Sequence, residues 1–252
     1  MRFKYRMMFL FAVIFLWQGL SLLELWPEYI FPSPYMVAKS LYNGFFEDGG
    51  PLLLALLLSM KRALVGFLIS MAIGSLAGII MAYNTFFEEA LKMVSLGAQS
   101  IPSICWVPLA VLWFGLSEGA ILFVMIMGSC FSISISTYSG IKHINPSLIN
   151  VARNLGARRI KLLVYVIIPA ILPAIIVGIK QGWAFTWRAL MAGEILSSNI
   201  GLGQSLIMAR DLADISRIFS IMIIIAGIGY FIEKLVFEKL EYSIKIKRGL
   251  LS

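Results

Sequence analysis

The sequence predicts an all-α fold, a polytopic membrane helical bundle of about six transmembrane helices with both termini in the cytoplasm. Three observations predict it. Of the 252 residues, 60% are hydrophobic and only 13% charged, with a mean hydropathy of +0.90, whereas a soluble domain is nearer half apolar and a quarter charged. The apolar residues fall into about six runs, each near the roughly 20 residues a spanning helix needs. Most of the 21 lysines and arginines cluster in short segments that six crossings place on one side of a membrane, which must be the cytoplasm. Such crossings use about half the chain and leave short loops, with no room for a separate soluble enzyme domain.

The elements follow in order. Arg2, Lys4 and Arg6 precede the apolar run Met7–Leu25; no small-x-small cleavage site follows, so this reads as a retained first helix and not a signal peptide. Trp26 to Gly50 is rich in Pro, Tyr and acid, and Tyr35–Phe46 suits a short amphipathic helix on the outer membrane surface. The second span, about Leu52–Ala82, exceeds one perpendicular crossing and carries Lys61 and Arg62 near its start. An interfacial first turn and a tilted crossing would accommodate both. The third, about Leu91–Leu116, contains Pro102 and Pro108, where kinks are expected. Ser117-Glu118-Gly119 turns into the fourth, Ala120–Tyr138. A basic polar segment, Gly140–Lys161, leads to the fifth, about Leu162–Ala192, and Glu194–Arg217 separates that from the sixth, Ile218–Phe237. The chain therefore divides into residues 1–50 (first helix and outer interfacial segment), 51–240 (membrane core with a cytoplasmic loop at 140–168) and 241–252 (basic cytoplasmic tail).

Composition excludes several functions. The net charge of +8 would suggest nucleic acid as partner in a soluble protein, but here the basic clusters between apolar runs serve orientation in a lipid membrane, so no nucleic acid is expected. A single histidine, His143, rules out a two-histidine metal site, and no Gly-rich loop ending in Gly-Lys-Ser/Thr is present to hold ATP. No catalytic residue, metal site or cofactor is expected on this chain. Cys105 and Cys130 lie in apolar runs and read as small buried hydrophobes.

The cytoplasmic loop carries the most specific pattern. Asn145 before Pro146 reads as an N-cap followed by proline at the first helical position. A helix can then run to Leu155 and stop at Gly156, where a left-handed residue is wanted. Ala157 restarts a second helix, expected to end at Ile168 before Pro169. On the first helix Leu148, Ala152 and Leu155 share a face, with the small Ala152 suited to close approach by a partner; Asn150, Arg153 and Asn154 are polar. A solvated loop that merely carries positive charge is the simpler alternative.

The run Asn150-Val151-Ala152-Arg153-Asn154-Leu155-Gly156, followed by Val166-x-Ile168-Pro169, resembles the "EAA" loop of binding-protein-dependent ABC transporter permeases. Ala152, Gly156 and Pro169 match outright; Asn150 stands where glutamate is usual and Val151 where alanine is usual. Further along the chain, Pro32-Ser33-Pro34, Ser59-x-x-Arg62, Ile101-Pro102-Ser103 to Val107-Pro108-Leu109, Trp113-Phe114-Gly115, Ala192-Gly193-Glu194 and Gly201-Leu202-Gly203 are similar to the nitrate/sulfonate/taurine and bicarbonate importer permeases. The resemblance implies a type I ABC importer architecture in a bacterial inner membrane: a homodimeric pore, two cytoplasmic ATPase subunits that bind the ATP and Mg, and an extracytoplasmic substrate-binding protein. It also implies that Asn150, Val151, Ala152, Arg153, Gly156, Ala157 and Pro169 belong to the loop that couples to the ATPase.

Two stripes are candidates for the solute path. Ser129, Ser132 and Ser136 recur at i, i+3, i+7 on the fourth span, though small polar residues in membrane helices also serve close packing. Lys180, Trp183, Trp187 and Glu194 lie near one stripe of the fifth; ionisable groups inside a membrane usually face the bundle interior or water. Lys180 is the deepest, while Arg188 and Glu194 are expected nearer the outer surface and solvated. A structural ion pair for Lys180, and a belt or packing role for the tryptophans, are the alternatives. A cation flanked by aromatics would suit an anion or a flat polar ring. The outer loop Glu194–Arg217 is a candidate landing surface for a binding protein, or an ordinary re-entrant loop. A stand-alone secondary transporter or channel would usually show an inverted repeat or buried coupling carboxylates, and an intramembrane enzyme a nucleophile and base at membrane depth; neither pattern is evident.

Overall fold

The structure, a computed structural model, describes residues 2–47, 50–158 and 160–247. Arg159 and Arg248 of the basic clusters, and the tail beyond residue 247, lie outside the described residues. In chain order the helices are α1 (Arg2–Leu22), α2 (Pro34–Phe46), α3 (Pro51–Tyr83), α4 (Thr85–Gln99), α5 (Val107–Phe114), α6 (Glu118–Lys142), α7 (Pro146–Asn154), α8 (Ile160–Ile195), α9 (Leu202–Asp211) and α10 (Ile215–Ile244).

Hydropathy sorts these helices. α3, α6, α8 and α10 are each long and apolar enough to cross a membrane. The third predicted span is a broken one: α4 and the stretch Ser103–Phe114 meet at 104°. Pro102 is the cause, because proline pushes the preceding residue out of the helical region. Pro108, in contrast, kinks nothing, since it sits in the first turn of α5, where its missing N–H is not needed. The apolar part of α1, Met7–Leu22, is shorter than the others. Among the described residues four helices, or five if the bent pair counts as one span, are long and apolar enough to cross, against the six expected; the first expected span is the one that falls short.

The chain forms two units. The first comprises Met1–Ser59 and Ile200–Gly227. Ser33 caps α2 by accepting from the Met36 amide, with Pro34 in the first turn. The Trp17 indole donates to the Pro32 carbonyl at 3.0 Å, which ties α1 to that turn. Ser220 Oγ donates to the Val37 carbonyl at 2.8 Å, and Ser59 Oγ accepts from the Leu202 amide at 2.9 Å. The Gly201-Leu202-Gly203 run thus starts α9 on a buried hydroxyl, with the Leu202 side chain fully buried.

The second unit comprises Met60–Asn199 and Ile228–Ser252. Its centre is the α6–α8 contact, made close by small residues, as is common where helices must pack within lipid. A Cβ on Gly178 would fall 2.4 Å from Ser136 Cβ, and one on Gly182 would fall 2.5 Å from Ile133 Cγ1. α3 packs on α6 in the same manner, with Gly74 against the Cys130 carbonyl.

Candidate functional site

The cytoplasmic loop of the sequence reading is built as a capped corner. Asn145 Oδ1 accepts from the Ser147 amide at 2.9 Å and Pro146 opens α7. At the other end Gly156 adopts φ +86°. Its amide bonds to the Arg153 carbonyl at 3.0 Å and the Ala157 amide bonds to the Ala152 carbonyl at 2.9 Å. That pair of bonds is a Schellman motif, which satisfies carbonyls left open at a helix end.

Three expectations about this loop are corrected. Ala152 does not face outward: it is buried against Leu162, Ile167 and Ile171, with Ile141, Ile144 and Ile149 around them. Its small size serves packing of α7 on its own chain. The exposed surface of α7 and its corner instead presents Leu148, Asn150, Val151, Arg153 and Leu155. The second helix starts at Ile160, not at Ala157, which lies in the corner. Nor does Pro169 end it. A π-helical turn at Leu163–Ile167 precedes Pro169, and the helix continues through Pro173 to Ile195. Proline removes an amide and crowds the carbonyl one turn back, and a widened turn relieves both.

The two candidate stripes are placed differently. Ser129 is fully buried and donates to the Met125 carbonyl of its own helix at 2.7 Å. Ser132 is buried, and its Oγ finds no hydrogen-bond partner among the described residues. Ser136 packs at Gly178. On α8, Trp183 and Trp187 are buried and stacked, with centroids 6.3 Å apart. Trp183 also meets Phe67 edge-on at 5.3 Å and lies near Phe237. Lys180 is half-buried and pairs with Glu233 of α10 at 3.3 Å. The tryptophans are thus packed within the chain and Lys180 is paired with Glu233, while Arg188 is exposed and donates to the Ala184 carbonyl.

Glu194 departs most from expectation. It is completely buried, not solvated, and accepts from Arg62 Nη1 at 2.8 Å. Arg62, only 6% exposed, also donates from Nε to both carboxylate oxygens of Glu118 at 3.0 Å. One guanidinium therefore joins α3, the first residue of α6 and the end of α8. The sequence reading set Arg62 in an interfacial turn. The available signal was a cation about three turns inside an apolar helix, which calls for a carboxylate partner.

At the opposite end of the same helices the arrangement is open. Glu88 accepts from Tyr138 Oη and Lys142 Nζ, both at 2.6 Å, near the surface. Beside α7, a cavity of about 1040 Å³ opens between the ends of α3 and α6 and the start of α8. Among the described residues no group of three or more His, Cys, Asp or Glu could hold a metal ion.

Residues 70–238 match the family model described as binding-protein-dependent transport system inner membrane component. The chain is 36% identical over 183 residues to a protein of Methanocaldococcus jannaschii named as an ABC transporter permease, covering 71% of this chain and 67% of that one. It is 31% identical over 218 residues to an Escherichia coli protein named as an aliphatic sulfonates transport permease, covering 86% and 82%. Its fold is similar to a chain of the inward-facing MetNI methionine ABC transporter, with a TM-score of 0.67 at 15% identity over 77% of this chain and 96% of that one.

Proposed function

The chain belongs to the family of binding-protein-dependent transport system inner membrane components, and from that premise we propose that it is the permease subunit of an ATP-driven importer for a small anionic solute of the sulfonate or nitrate class. The solute class follows the sulfonate permease to which the chain is similar over most of its length. It works by alternating access in the cell membrane as a homodimer, with two cytoplasmic ATPase subunits that bind ATP and Mg, and a substrate-binding protein outside.

The observation that carries the coupling half of this reading is α7. A nine-residue helix, capped at Asn145 and closed by the Gly156 corner, is pinned on one side by Ala152. On the other it offers Leu148, Val151 and Leu155 beside Asn150. Apolar side chains exposed on a short rigid helix, rimmed by polar ones, are the usual form of a helix that inserts into a partner's groove. Because Ala152 anchors α7 to the start of α8, a displacement of α7 by the ATPase passes directly to that spanning helix. The Lys/Arg distribution supports placing α7 and both termini in the cytoplasm.

The test is co-purification of the tagged chain with a candidate ATPase, native against Gly156→Pro. Proline cannot adopt the positive φ at 156, so the corner is lost while the spans are untouched. We expect retention by the native chain and loss by the variant. Equal retention would remove residues 145–169 as the docking element, and no retention by the native chain with every candidate ATPase would favour a stand-alone transporter.

A further inference from the structure

We propose that the cavity beside α7 is a binding site for one anionic phospholipid of the cytoplasmic leaflet. The cavity, about 1040 Å³, is walled by Ile79, Ile141, Ile168, Ile171 and Ile175, with Ser75, Tyr83 and Thr137 adding hydroxyls. Ile79 and Ile168 remain 44% and 43% exposed, so it is an open groove and not a sealed void. Water does not settle stably in a space lined by aliphatic side chains, and in a bilayer the available apolar filler is an acyl chain.

Charge selects the headgroup. Arg153 and Arg158 line the same cavity, and no carboxylate among the described residues does. Both are exposed, and neither has an ion-pair partner among the described residues. They sit on α7 and its corner, at the end of the bundle where the headgroups of the inner leaflet would lie. Basic groups at the mouth of an apolar groove between spanning helices on that side suit an anionic headgroup. A transported oxyanion would find the arginines but would gain nothing from six isoleucines, Ile167 among them, so the walls favour a lipid over the solute. A bound lipid would bridge α3, α6 and α8 where no ion pair among the described residues joins all three, next to the helix proposed to meet the ATPase.

The inference rests on the proposed cytoplasmic placement of α7, and the experiment separates the two. The full chain, co-expressed with its ATPase, is purified in mild detergent and its retained lipids are measured by mass spectrometry. Three forms are compared: native, Arg153→Gln with Arg158→Gln, and Ile79→Trp with Ile168→Trp. The native chain should retain phosphatidylglycerol or cardiolipin several-fold above their share of the bulk membrane. The arginine pair should lose that enrichment while keeping zwitterionic lipid, and the tryptophan pair, which fills the groove, should retain neither. Gel filtration confirms folding, and the two pairs alter different parts of the site, so loss of one variant leaves the other decisive. Retained lipid that matches the bulk membrane in all three forms would overturn the inference even if the ATPase co-purifies. Enriched anionic lipid without ATPase retention would uphold it while the importer reading failed. Displacement of the retained molecule by a sulfonate would reassign the groove to the solute path.

Discussion

The helices α3, α6 and α8 are held differently at their two ends. At the Arg62 end the guanidinium and Glu194 are both buried, 6% and 0% exposed, with Glu118 closing the site from the exposed side, and each contact crosses from one helix to another. At the α7 end the helices part around an open isoleucine groove, and the ion pair there, Lys142 with Glu88, is 40% and 24% exposed. The difference is one of dielectric. Buried charges removed from water bind each other strongly and cannot separate without exposing an uncompensated ion, whereas an exposed pair exchanges each contact for water at little net cost. The proposed importer, driven by an ATPase on one side, would use that asymmetry: a fixed end against which the other can move.

The largest test of the contrast is at Arg62. Arg62→Ala leaves Glu194 buried without its cation, and breaking a buried pair in this way costs about 3–5 kcal/mol. The purified chain should melt far below native in detergent, or fail to accumulate. Arg62→Met combined with Glu118→Gln and Glu194→Met should recover much of the loss, since an apolar replacement of comparable volume removes the orphaned charge. If Arg62→Ala melted like native, the two ends would not differ as argued.

A smaller effect is expected midway along the bundle. Gly178→Leu places a side chain where even a Cβ would meet Ser136 at 2.4 Å, and overpacking of this kind costs about 1–3 kcal/mol. The melting temperature should fall by less than for Arg62→Ala. Ser136→Gly in the same chain should return part of it, because the obstructing atoms are those of Ser136. No recovery would mean that the strain is relieved elsewhere, and that α6 and α8 are not locked at this point.

Local chemistry was legible in the sequence wherever it is decided by neighbours along the chain. The Asn145 cap, Pro146, the Gly156 corner and the break before Pro102 all follow from backbone preferences of single residues, and the spans follow from hydropathy. What was not legible depends on which side chains meet across the bundle. Ala152 was assigned to a partner because its small size suits close approach; only the fold brings Ile167 and Ile171 to it. Glu194 was expected in water because it ends a span, and only the fold delivers Arg62, 132 positions away. Pro169 was taken as a stop because a regular helix cannot pass it, but a π-turn can precede it at no cost visible in the sequence. The candidate path residues illustrate the same limit, since periodicity aligned Trp183 and Trp187 correctly but could not say that Phe67 and Phe237 fill the space beside them.

The smallest expected effect is the most informative about the α7 end. Lys142→Gln removes a charge that reaches Glu88 at 2.6 Å, closer than the buried Arg62–Glu194 contact at 2.8 Å. If short distance alone fixed a helix end, this substitution would rival Arg62→Ala. Exposure predicts otherwise, because water screens the pair in both states and replaces whatever contact is lost. The melting temperature should stay within the reproducibility of the measurement, and Glu88→Gln added to it should change nothing further. Transport in vesicles should persist, since α7 begins only a few residues beyond Lys142 and its motion does not require the pair to stay closed. A large drop in stability, or a double substitution that is far from additive, would mean that the α7 end is also held by charge, and that the moving part of the molecule must be sought elsewhere.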